Sequence, residues 1–266
     1  MNDSRDVLDD LTAAGDEIDR LVAELDERQW DTPTPAPGWT IKHQIAHLAF
    51  IFRLAGAAAG APEAFKAAAA AAAEDFDGAV NAALAGYLDK PAATVLDIWR
   101  EERAKAGAAL AAVPAGALVP WLVNPLPAPV LACAGIMELF GHGQDVADAL
   151  GIRREPTDGI RHLVGFATLT RDFGYQARGL TPPSEPFRFE LTGPSGALWE
   201  FGPADAEQRI TGSAHDFCLL ATRRRHRADL ELSATGAEAD RYLDIAQAYR
   251  GPAGPGRTPG QFAHLG

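Results

Sequence analysis

Apolar residues at Val7, Leu8, Leu11, Ile18, Leu21, Val22 and Leu25 recur at spacings of three and four, with acidic and small residues between them. That is the stripe of an amphipathic helix. After a proline-laden connector, DTPTPAPGWT, the same period resumes in IKHQIAHLAFIFRLAGAAA, with Thr40 placed to cap its start. Pro91, tolerated in a first turn, opens a third helix through AATVLDIWREERAKAGAALAAV. The fourth is LACAGIMELFGHGQDVADALG, which stops at Gly151 as a C-terminal glycine predicts. Four helices of this kind predict an antiparallel bundle. Between them, residues 62–87 are alanine-rich, with high helix propensity and little bulk, and read as a lid or a peripheral helical hinge. PAGALVPWLVNPLPAPV reads as a rigid, proline-broken loop.

One more helical segment runs through RHLVGFATLTRDFGYQARG, and the period then changes at LTPPSEP. FRFELTG alternates Phe187, Phe189 and Leu191 with Arg188 and Glu190, the pattern of a half-buried strand, and PSG turns it into ALWEFG as a hairpin. QRITG, a helix from about Ala214 to Arg225, the strand DLELSA and a final helix AEADRYLDIAQAYR complete a small mixed unit. The expected class is α+β: a four-helix bundle over residues 1–180 and a smaller mixed α/β domain over 181–266, with a loose tail after about 251.

Composition narrows the partners. Hydrophobic residues make up 47% and charged residues 23%, as in a soluble globular protein, and the formal net charge is -12. Such a surface repels nucleic-acid backbones and anionic membranes, so the expected partner is a small-molecule substrate, met by a monomer or a homodimer. Cys133 and Cys218 stand far apart in apolar surroundings and read as buried thiols rather than a disulfide. The acidic, amphipathic start is not a signal peptide and no apolar run has membrane length, which places the chain in the cytoplasm.

The candidate chemistry sits in the fourth helix. Glu138 and His142 are one turn apart in an apolar run, and buried ionisable groups need a partner charge, a hydrogen bond or a metal. His47, flanked by Ile45, Ala46, Leu48 and Ala49 on the second helix, is the natural third member. Two histidines and one carboxylate from facing helices form a site with open positions, suited to zinc and equally to iron or nickel. The alternative is an intrahelical Glu138–His142 ion pair beside a hydrogen-bonded core histidine. Asp145 is either an acceptor that fixes an imidazole tautomer or a solvated helix carboxylate. His43, one turn before His47, is a substrate-binding group, a fourth ligand or a rim residue. Arg223, Arg224 and Arg225 form either the cationic end of a helix or a grip on carboxylates of substrate and cofactor.

PAPGWTIKHQIAHLA and MELFGHGQDVADALG together resemble the DinB-like metal-binding superfamily, in particular its actinobacterial branch of mycothiol-dependent maleylpyruvate isomerases. The second half is similar too, through LTGPSGALWEFG and LELSATG. The resemblance implies a glycine–tryptophan pair, Gly38 and Trp39, ahead of the ligand His47, with Glu138 and His142 as the other two ligands of a divalent metal, zinc in the first instance. It implies mycothiol as thiol cofactor and an isomerase or thiol transferase acting on a small organic electrophile; if the arginine cluster is a grip on carboxylates, Arg224 is expected at the substrate and Arg223 and Arg225 at the cofactor. Gly135 stands where relatives carry a basic residue, and the loop before the fourth helix is apolar; both suit a larger substrate, such as a secondary metabolite. The rival readings are a thiol-independent, metal-dependent hydrolase or cyclase and a non-catalytic small-molecule binding protein.

Overall fold

A computed structural model describes residues 4–72, 76–122 and 124–265. The chain forms two compact units, Met1–Ile152 and Arg153–Gly266. Helices and two sheets make the class α+β. Among the described residues no helix is long and apolar enough to cross a membrane.

The first unit is helical: α1 (Ser4–Val22), α2 (Glu27–Trp30), α3 (Ile41–Gly60), α4 (Pro62–Ala72), α5 (Phe76–Leu88), α6 (Ala92–Ala111) and α7 (Ala128–Leu150). Its centre is α3, which packs on α6 and α7, while α1 packs on α7 and α6. Ile18, Ile41, Ile45, Leu48, Trp99 and Leu139 are fully buried along these contacts. Each such aliphatic side chain contributes about 1.5–3 kcal/mol on leaving water. The alanine-rich stretch folds as α4 and α5, both packed against α3, with residues 73–75 outside the described ones. Helix α2 was not visible as a period because it is one turn long. Asp26 nucleates it: its carboxylate accepts from the Gln29 amide at 2.8 Å, and the Gln29 side chain accepts from the Asp26 amide at 2.9 Å.

The proline-broken loop contains a two-residue ladder, β1 (Leu118–Val119) against β2 (Leu126–Pro127). α7 then starts at Ala128, earlier than the apolar period alone implies, because a proline in a helix's first turn forfeits no internal hydrogen bond and Pro129 sits there. It ends at Gly151, whose φ of 67° is the left-handed conformation expected of that glycine.

The second unit holds α8 (Arg161–Leu169), α9 (Asp172–Gln176), β3 (Phe187–Thr192), β4 (Leu198–Phe201), β5 (Gln208–Ser213), α10 (Ala214–Ala221), β6 (Leu232–Thr235) and α11 (Ala237–Ile245). Segment 161–176, grouped by sequence texture with the preceding helices, packs on α10, β4 and α11 of this unit. The sheet order is β4-β3-β5-β6; β3 is antiparallel to β4 and parallel to β5, and β5 is antiparallel to β6. Phe187, Phe189 and Leu191 are buried, as the alternation in FRFELTG predicts, and so are Ile210, Phe217 and Tyr242; Arg188, read as a polar-face position, is buried as well. Across the polar face Arg188 pairs with Glu190 and Glu200, and Arg209 pairs with Glu190. The tail expected to be loose is tied back: the Gly260 amide donates to Asp229 at 2.8 Å, and the Arg225 guanidinium lies 3.9 Å from the centre of the Phe262 ring.

Candidate metal centre

The loop before α3 is built to deliver Trp39. Gly38 has φ 78°, a conformation that side chains disfavour, and the amide of Thr34 donates to the Trp39 carbonyl at 2.8 Å. Pro33 and Thr40 form an isolated antiparallel bridge across the loop. The Trp39 indole stacks on the His142 ring, 5.9 Å between centroids at 20°, and tilts against the His47 ring at 5.4 Å.

Beneath that indole three side chains converge from two helices. Nε2 of His142 lies 3.2 Å and Nε2 of His47 3.5 Å from the same Glu138 carboxylate oxygen, Oε2. The three candidate donor atoms all lie within 4.8 Å of one another. Zinc–nitrogen and zinc–oxygen bonds of about 2.0–2.2 Å in a tetrahedron place neighbouring donors about 3.3 Å apart, so the two spacings to Glu138 suit a shared cation. The donor chemistry fits as well, with two imidazoles and one carboxylate. The side chains of His47, Glu138 and His142 are 16, 21 and 14% exposed, so the cluster opens to solvent, unlike a sealed structural site. Burial pushes the Glu138 carboxyl up, but hydrogen bonds from His142 and His47 and their charge carry it well below the usual carboxylate range.

Other expected site residues sit elsewhere. His43 closes the start of α3: its Nδ1 lies 2.9 Å from the Thr40 hydroxyl and accepts from the Thr40 amide at 3.2 Å. Burial, and then the neighbouring Lys42 charge, lower its pKa. That capping bond, rather than a place in the ligand cluster, is what the structure gives it. Asp145 is fully buried, which removes the reading as a solvated carboxylate. Nδ1 of His142 meets Oε1 of Gln44, and Nδ1 of His47 is buried with no hydrogen-bond partner among the described residues. Gln44 was missed by reading the sequence, although its place in the stripe Ile41, Gln44, Ile45, Leu48 marked a polar group on a buried face.

The arginine run does not ride on a helix end as expected, because α10 stops at Ala221. Arg223 takes a left-handed φ of 60°; its amide donates to Leu220 at 2.8 Å and that of Arg224 to Leu219 at 2.8 Å, which closes the helix. Within the second unit the Arg224 guanidinium donates to the Thr222 carbonyl at 2.6 Å, and Arg223 reaches the Gly254 carbonyl at 3.4 Å.

Residues 11–147 match the family model described as the mycothiol maleylpyruvate isomerase N-terminal domain. Residues 183–234 match a model described as wyosine base formation. Two uncharacterised proteins of Mycobacterium tuberculosis, from strains CDC 1551 / Oshkosh and H37Rv, are each 44% identical over 257 residues, covering 97% of this chain and all of the relative. Among solved structures, the mycothiol-dependent maleylpyruvate isomerase and a histidine-to-alanine mutant of it superpose with a TM-score of 0.56 at 17% identity, covering 88% of this chain and 93% of theirs, a likeness of fold. A family model that matches residues 11–147, more than half of the chain, means that this chain belongs to the mycothiol-dependent maleylpyruvate isomerase branch of the DinB-like superfamily.

Proposed function

We propose that this protein is a metal-dependent enzyme of the isomerase or thiol-transferase kind, acting on a small organic electrophile with mycothiol as its thiol cofactor. The observation that carries the reading is the meeting of two imidazole Nε2 atoms at one Glu138 oxygen. His47, Glu138 and His142 would hold one divalent cation, with zinc as the first candidate by ligand type. When bound, such a cation lowers the pKa of a coordinated thiol or water towards neutrality. The protein's own contribution is charge and placement. One carboxylate and two neutral imidazoles leave a divalent centre with net positive charge, which favours an anionic further ligand. The indole of Trp39 covers both rings and shields their faces from water. α3 and α7 supply these groups as part of the expected four-helix bundle. Arg223, Arg224 and Arg225 are the side chains we assign to carboxylates of cofactor and substrate, because a guanidinium pairs with a carboxylate through two parallel bonds.

Elemental analysis of the protein purified from metal-supplemented cells tests the centre, with His47→Ala and Glu138→Ala alongside. One divalent ion per chain, lost in both variants, is the expected result, and a metal-free wild type of full stability would end the reading. Titrating mycothiol into the cobalt-substituted protein tests the thiol. Its absorption bands should shift, and an unchanged spectrum would remove mycothiol from the assignment.

A further inference from the structure

A cavity of about 500 Å³ opens within the second unit, lined by α8, β3 and the glycine that follows β4. Clefts that take small molecules commonly enclose about 300–1,000 Å³ and combine apolar walls with a few polar atoms. Here the apolar wall is Phe187 and Phe189, both nearly buried, with ring centroids 6.2 Å apart. Leu169 lines the cavity too and is 67% exposed, so an apolar side chain also stands where solvent enters.

Arg171 and Asp172 make the polar wall. The Arg171 guanidinium lies 4.6 Å from the centre of the Phe187 ring. Its Nε and Nη2 donate to Oδ1 of Asp172 at 3.0 and 2.9 Å, and Nη2 and Nη1 donate to the carbonyls of Pro183 and Glu185 at 3.0 and 3.1 Å. Of the five N–H donors of a guanidinium, a single Nη1 proton is left. This frame fixes the Asp172 carboxylate in advance, so little ordering remains for a ligand to impose. Oδ2 of Asp172 has no hydrogen bond among the described residues, and the side chain is 46% exposed. The Thr168 hydroxyl, also in the lining, gives its proton to the Gly165 carbonyl at 2.8 Å, which leaves its oxygen able only to accept. Open acceptors therefore stand beside aromatic carbon. Because Arg171 and Asp172 neutralise one another, the wall has no excess positive charge to hold an anion.

We propose that this cavity is a binding site for a small, flat aromatic heterocycle with N–H donors, which lies against Phe187 and Phe189 and donates to Oδ2 of Asp172. An N–H in the plane of the ring lets one rigid molecule serve both walls: the ring displaces water from the phenyl groups, and the proton replaces the water that a carboxylate oxygen gives up. None of these residues belongs to the cluster of His47, Glu138 and His142, and no metal is involved.

The test is titration of the full chain with indole, adenine, N-methylindole and benzoate, followed by backbone amide chemical shifts. Indole and adenine should move the amides of Gly165, Thr168 and Gly202. N-methylindole has nearly the same shape without the donor and should bind at least about tenfold more weakly, because it desolvates the carboxylate oxygen without replacing its hydrogen bond. Benzoate, flat but anionic and without a donor, should leave those amides in place. Asp172→Asn keeps an oxygen for Arg171 and turns an NH2 group to the cavity, so in this variant indole should lose its advantage over N-methylindole. No movement of the amides with either N–H ring overturns the proposal. Equal wild-type affinity for indole and N-methylindole overturns it too, since the cavity would then be merely apolar, and so does benzoate binding at the same amides. Should Asp172→Asn fail to fold, the wild-type comparison of the two indoles decides it alone.

Discussion

Nε2 of His142 stands 3.2 Å from Oε2 of Glu138, one turn earlier on the same helix. A cation held as proposed would compete with protons for that nitrogen and for its counterpart on His47. The carboxyl is carried well below its usual range, so it stays ionised through mildly acidic pH and the competition belongs to the imidazoles. Because ligands must shed their protons to bind a metal, cobalt affinity is expected to fall as pH drops. Cobalt titrations at stepped pH check this; an affinity indifferent to pH between 7 and 5 would show that the histidines are not ligands.

Asp19 and Arg100 join α1 to α6 through two bonds, of 2.7 and 2.6 Å. The Arg100 hydrogen bond, outweighing burial, holds the Asp19 carboxyl below its ordinary value. A depressed carboxylate pKa stabilises the fold above the unfolded-state value and ceases to do so as pH falls through the folded one. The Arg100 side chain is 42% exposed, so solvent screens much of the effect. Asp19→Asn should cost under about 1 kcal/mol at neutral pH, and less in high salt. Urea unfolding should show the difference closing once the carboxyl is protonated.

Gly202 follows β4 with φ 80°, and a Cβ there would collide with the carbonyl oxygen of Phe187. Backbone conformation and space both exclude a side chain. Gly202→Ala is expected to lose about 1–3 kcal/mol from the conformation alone, and more from the collision. A denaturant midpoint within error of wild type would mean that the strand end relaxes freely.

Burial pushes the Cys133 thiol up to about 11 and that of Cys218 well above its ordinary value. The thiolate is the reactive form, so at pH 8 both are almost wholly protonated and inert. Native protein should react slowly with a thiol reagent, and the chain's 2 cysteines should both appear promptly in denaturant. Rapid labelling of both thiols in the native protein would contradict their raised pKa values and the burial of Cys218.

The meeting of His47, Glu138 and His142 was legible because helix geometry maps sequence spacing onto space: Glu138 and His142 lie one turn apart, and His47 has apolar neighbours. The strands from 187 to 201 were legible for the corresponding reason, a period of two interrupted by a turn. What escaped was set by partners distant in sequence. Nothing near His142 in the sequence says that its second nitrogen meets Gln44, which lies 98 positions away. The end of α10 escaped because the left-handed residue that closes it is Arg223 and not a glycine. L-residues adopt that conformation at a cost of about 1–2 kcal/mol, so a helix stop at arginine carries no compositional mark. α2 escaped because a single turn capped by Asp26 is too short to show a period.

His47 belongs to α3 while Glu138 and His142 belong to α7, and these helices share the core of the first unit. A cation gripped by all three would act as a rivet between distant parts of the chain. The melting temperature would then report how much free metal surrounds the protein, because an ion present at a hundred times its dissociation constant adds about 2.7 kcal/mol to the folded state. In a cell short of that metal, the first loss would be endurance of the fold as well as chemistry.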